Sequence, residues 1–131
     1  MNEIQRYLLA DEMVPVSHYC HDCHAVRAGQ RLWISDTVGV VPDGSIPNDT
    51  VEQFQLAMDS LGRCLRAAGG RPAHIVKVTV LLTDIADRGR INPIRQAYFG
   101  DHRPASTLFE VSALVAPEMK VEIEAEAVIV D

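Results

Sequence analysis

Basic residues are scarce in this chain: 12 lysines and arginines stand against 18 aspartates and glutamates, a net charge of −6. A protein that neutralises phosphates needs the opposite balance, and the few cations are scattered among acids. Nucleic acid is therefore not an expected partner. Long uncharged stretches are missing too, and none approaches the roughly 20 apolar residues that span a bilayer, so no membrane partner is expected. The opening residues, MNEIQRYLLADEM, place acids where a secretion signal carries a basic flank and an apolar run. Cysteine is limited to three residues, which do not make a disulfide framework. Together these absences point to a reduced, cytoplasmic protein.

What remains has ordinary globular composition. At 131 residues the chain can bury one real core, and a single domain over 1–131 is expected, with no repeat or linker. The stretch RLWISDTV (31–38) is rich in strand formers and follows VRAGQ, where Gly29 offers a hairpin turn. VVPDGSIP (40–47) reads as a loop. Thr50 and Gln53 fit a capping box that opens a helix from about Val51 to Ala68. Phe54, Met58, Leu61, Leu65 and Ala68 supply its apolar face, and Gly69-Gly70 its stop. Cys64 falls inside this helix as a small buried thiol.

HIVKVTVLLTD (74–84) suits a buried strand, and Asp87 can cap a second helix running to about Phe99, ended by Gly100. STLFEVSAL (106–114) and KVEIEAEAVIV (120–130) complete the strands. In the last of them Val121, Ile123, Ala125 and Ala127 alternate with Glu122, Glu124 and Glu126. In so short a chain two helices can cover only one face of the resulting α+β sheet. The glutamate face then meets solvent or a wet interface.

The segment SHYCHDCHAV (17–26) concentrates His18, Cys20, His21, Cys23 and His24. Cys20 and Cys23 have a zinc-ligand spacing, but a structural zinc site draws a second ligand pair from elsewhere, and the chain holds none. The segment reads without a metal, although ligands contributed by several copies of the chain would also satisfy one. A Cys–His dyad is a second possibility. On an extended segment, however, Cys23 and His24 point apart, whereas Asp22 and His24 share a face. His18, Cys20 and His21 also fit a plain surface loop.

HAVRAGQRLWISDTVG, AAGGRPAHIVKVTVLLTDIADRGRINPIRQAYFGDHRPAS and EVSAL…KVEIEAEAVI, in this order over roughly residues 20 to 130, resemble the Rid family. This family is also called YjgF or L-PSP endoribonuclease. The resemblance implies a chorismate-mutase-like α+β fold of the bacillus type: a mixed sheet with two helices on one face, assembled as a homotrimer with ligand clefts between subunits. Its best-known members hydrolyse small-molecule enamines and imines such as 2-aminoacrylate to a ketoacid and ammonia, with no metal or organic cofactor. By position, the resemblance implies cleft roles for Ser35, Asn92 and Glu122, with Glu122 holding or activating water. Asp22, Cys23 and His24 stand where the family has a tyrosine, a serine and a glutamine beside the cleft. Asp22 and His24 become candidates for proton exchange opposite Glu122, and Cys23 for substrate contact.

One departure is large. Where active deaminases read PARS, with an arginine that grips the substrate carboxylate, this chain reads PAST, placing Ser106 and Thr107 at the substrate-binding position. A hydroxyl cannot replace a planar cation that meets both carboxylate oxygens. Losing such a pair costs on the order of 2–5 kcal/mol, so 2-aminoacrylate is not the expected substrate. Ring-cleavage amino compounds of the aminomuconate type suit better. Arg103 lies three residues away and is a weak replacement. Phe109 can wall an apolar cleft, and Trp33 reads as packing. The expected function is a cofactor-free hydrolase of enamine, imine or related C–N bonds in a small metabolite. The alternative is a non-catalytic trimer that binds a small molecule or serves regulation. The ribonuclease label fits poorly on an acidic chain without a basic groove.

Overall fold

The computed structural model describes residues 3–9 and 23–130. His18, Cys20, His21 and Asp22 lie outside the described residues. The elements run β1 (Ile4–Tyr7), β2 (Ala25–Ala28), β3 (Arg31–Val38), α1 (Thr50–Ala67), β4 (Ile75–Leu82), α2 (Arg88–Phe99), β5 (Ala105–Glu110) and β6 (Val121–Val128). The strands form one six-stranded sheet in the order β1-β2-β3-β6-β4-β5. Every pairing is antiparallel except that of β4 with β5.

Side-chain alternation decides which way the sheet faces. On β6, Val121, Ile123, Ala125 and Ala127 are buried, and their register partners Leu82, Val80 and Val78 on β4 are buried with them. α1 lies over β3 and β6. It buries Phe54, Ala57, Met58, Leu61, Cys64 and Leu65, spaced three or four residues apart, and α2 adds Ile91 and Phe99 to the same core. Truncating one of these, Leu61 for instance, costs about 2–5 kcal/mol through lost burial and the cavity left behind. The expected α+β sheet with helices on one face is what forms. Gly29 makes the β2–β3 hairpin turn with a φ of 61°, and Gly100, at φ 54°, ends α2.

Both expected helix caps are corrected. Asp49, not Thr50, caps α1, accepting the Glu52 N–H at 3.3 Å. Thr50 is the first helical residue, and its hydroxyl donates to Asp87 at 2.8 Å. Asp87 accepts no N–H from α2, because its carboxylate is engaged by Thr50 and by Arg90 at 3.1 Å. Two adjacent cap formers satisfy the local rule equally well, and tertiary demand for the Thr50–Asp87 contact selects between them.

Gln53 does not close a capping box. It is fully buried and donates to the carbonyls of Pro47 at 2.7 Å and Glu118 at 2.9 Å, while accepting the Lys120 N–H at 2.8 Å. One side chain thus holds the loop before α1 and the start of β6. Gly39 allows the close approach this needs: a Cβ there would lie 2.3 Å from the Gln53 Cα.

Candidate functional site

The edge strand β5 carries the first group of site residues. Ser106 is in register with Val78 of β4, so it belongs to the helix-bearing side of the sheet. α2 runs beside it and presents Asn92 and, one turn on, Arg95. Arg95 Nη2 donates to Ser106 Oγ at 2.5 Å, and Nη1 donates to Asn92 Oδ1 at 3.3 Å. These three residues, with Phe99, Arg103 and Pro104, line a cavity of about 490 Å³. Burial holds the Arg95 guanidinium below the ordinary arginine range, and the charge of Arg88 adds to the effect.

Glu122 belongs to the opposite side of the sheet. It is only 9% exposed and is in register with Val38 and Leu81. Phe109 pairs with Leu81 and Thr107 with Thr79, so both share the face of Glu122. The Thr107 hydroxyl accepts Lys77 Nζ at 2.6 Å, and Phe109 is exposed.

Ser35 sits where the pairing of β3 with β6 is interrupted, between Ile34 and Thr37. The irregularity turns its hydroxyl to donate to the Cys23 carbonyl at 2.9 Å, while its N–H donates to the His24 carbonyl at 2.9 Å. His24 is buried, and its Nδ1 accepts the Leu9 N–H at 3.0 Å. A second cavity of about 490 Å³ opens beside Ser35 between Trp33, Lys77 and Glu124. The chain therefore brings Asn92 to Ser106, and Ser35 to Cys23 and His24. It keeps Asn92 and Ser106 on one side of the sheet and Glu122, Thr107 and Phe109 on the other. Among the described residues, no three His, Cys, Asp or Glu side chains are grouped to hold a metal ion.

The chain's sequence and its sheet covered by two helices match a known family. The sequence profile described as Endoribonuclease L-PSP matches residues 10–129. The chain belongs to the Endoribonuclease L-PSP family. It is 33% identical to the 2-iminobutanoate/2-iminopropanoate deaminase of Rattus norvegicus, across 98% of this chain and 93% of the rat protein. Its identity to the deaminase of the same name from Mus musculus is 40%, across 79% of this chain and 78% of the mouse protein. Among solved structures, E. coli TdcF with bound serine superposes with a TM-score of 0.86 at 27% identity, covering 96% of this chain and all (100%) of TdcF. The E. coli YjgF gene product gives 0.84 at 28% identity, covering 95% and 98%.

Within the Endoribonuclease L-PSP frame, sequence reasoning missed Arg95. The signal was available: Asn92 had been singled out on α2, and a residue three positions on shares its helical face. What could not be read was the meeting of that face with Ser106 across the turn at Gly100.

Proposed function

We propose that the chain is a cofactor-free hydrolase of imines or enamines in small metabolites, acting as a homotrimer whose clefts form between subunits. The observation that carries this is the match to the rat 2-iminobutanoate/2-iminopropanoate deaminase over nearly the whole chain; Ser35, Asn92 and Glu122 are the residues this reading assigns to the cleft. A second copy supplies what one chain separates. The Asn92–Ser106 side of one sheet edge would face the Glu122 side of a neighbour.

In this reading Glu122 accepts a proton from water as the oxygen attacks the C=N carbon, giving a carbinolamine. The nitrogen takes that proton and, as the C–N bond breaks, the carbinolamine hydroxyl gives up its own. Both water protons end on nitrogen, and ammonia and a carbonyl compound leave. An enamine first gains a proton at its β-carbon and loses one from nitrogen to become the imine. Ser35 and Asn92 orient the substrate. His24 exchanges protons through Nε2, since Nδ1 is engaged by Leu9, and Asp22 assists it. Cys23, Thr107 and Phe109 contact the substrate at the cleft wall. Ser106 stands where a β5 arginine would grip the carboxylate, so any grip must come from another direction. Longer unsaturated amino acids of the ring-cleavage type are expected to be turned over faster than 2-aminoacrylate.

The test is ammonia release above the spontaneous rate from a panel of 2-aminoacrylate, 2-iminobutanoate, a 2-aminomuconate-type acid and a neutral imine. Glu122→Gln is expected to lower kcat by about 100-fold or more with the fold retained. A purified trimer that binds small molecules yet accelerates none of these hydrolyses would leave the non-catalytic alternative instead.

A further inference from the structure

Among the described residues Arg95 is a cation that forms no ion pair within 4 Å; the pairs made by Asp49 and Asp87 are with Arg90. A guanidinium carries five N–H donors in a planar fork. Here one goes to the Ser106 hydroxyl and one to the Asn92 amide oxygen, both neutral acceptors. The Nε–H is shielded from solvent and has no acceptor. The group lines an open cavity whose other charged wall, Arg103, is also basic. A partly buried guanidinium that lines a cavity with a second basic wall, and is met only by neutral acceptors, is suited to hold an anion.

We propose that Arg95 is the substrate's carboxylate anchor, delivered from α2 and aimed by Ser106, in place of a cation on β5. The identity of that carboxylate, an imino or enamino acid, rests on the deaminase reading. A carboxylate entering the cavity meets the outer Nη N–H groups, which no oxygen of the described residues accepts, and Arg103 adds to the attraction. Ser106 then has a specific part: its Oγ fixes Nη2 and holds the plane of the guanidinium in position. The position that lost one arginine is the hydroxyl that orients another.

The experiment measures binding and turnover separately. Titration calorimetry with 2-oxobutanoate, a product-like ketoacid, is compared with 2-butanone, which lacks the carboxylate. Arg95→Met is expected to weaken 2-oxobutanoate binding by about 30-fold or more and to leave 2-butanone unchanged. Arg95→Gln keeps a donor for Ser106 while removing the charge, and guards against a folding defect in the methionine variant. Its loss should be similar, appearing in KM more than in kcat. The double variant Arg95→Met/Ser106→Arg should recover part of the affinity. Ketoacid binding by Arg95→Gln within about threefold of wild type, or no ketoacid binding by the wild type, overturns the anchor. A wild type that binds ketoacid through Arg95 but releases no ammonia keeps the anchor and removes the deaminase reading.

Discussion

Gln53 Oε1 accepts the backbone N–H of Lys120 at 2.8 Å, joining residues 67 positions apart. The same amide donates to the carbonyls of Pro47 and Glu118, so α1 is tied to the residue just ahead of β6, two positions before Glu122. Replacing Gln53 by leucine takes the side-chain partner from three partly buried backbone groups. The expected loss is about 2–4 kcal/mol, read as a lower urea midpoint with an unchanged slope. Gln53→Glu should be worse at neutral pH, because a carboxylate would face two carbonyl oxygens.

Asp49 yields a pH prediction. Its carboxyl is held below the ordinary 3.8, first by the hydrogen bond from Arg90, which outweighs the opposing effect of desolvation, and then by the Glu52 N–H. A depressed folded-state value means the contribution is complete above the unfolded value and is lost as pH falls through the folded one. Asp49→Asn keeps an N-cap but removes this charge. The stability difference between wild type and Asp49→Asn should therefore shrink as pH drops from about 5 to 3. It should also shrink with added salt, since the pair is exposed. A difference that stays constant across this range contradicts the assignment.

Cys64 is fully buried, and burial pushes its thiol up to about 12. The thiolate is the reactive form. At pH 8 iodoacetamide should modify half-buried Cys23 and spare Cys64 until denaturant is added, as peptide mass mapping would show. Native-state labelling of Cys64 would mean that α1 opens far more readily than its packing implies.

His24 is expected in one tautomer. With Nδ1 accepting the Leu9 N–H, the neutral ring must carry its proton on Nε2. Long-range proton–nitrogen correlation spectra should show this pattern. A ring protonated on Nδ1 would remove Nε2–H as the donor to a leaving amine.

Much of the fold was legible because its signals are local. The alternation in β6, the three- and four-residue spacing in α1, and glycines 29 and 100 each act through neighbouring residues. β1 was not read: four residues, mostly exposed, become a strand only by pairing with Ala25–Ala28. The caps failed for a related reason, since Thr50 and Asp87 each fit a local rule but are engaged by one another. The site was legible as a set of positions and not as an arrangement. That Asn92 and Ser106 share a side of the sheet while Glu122 lies on the other depends on strand order. Arg95 fits no motif. Its contact with Ser106 arises only where α2 packs beside the edge strand β5.

Gly39 also limits how this chain can change over time. The atoms nearest a Cβ there include the Gln53 Cα and carbonyl oxygen, at 2.3 and 2.5 Å, which are backbone that no side-chain replacement at 53 can move. A second mutation therefore cannot open position 39 while α1 stays docked on β3. The seam between Gly39 and α1 is closed to drift.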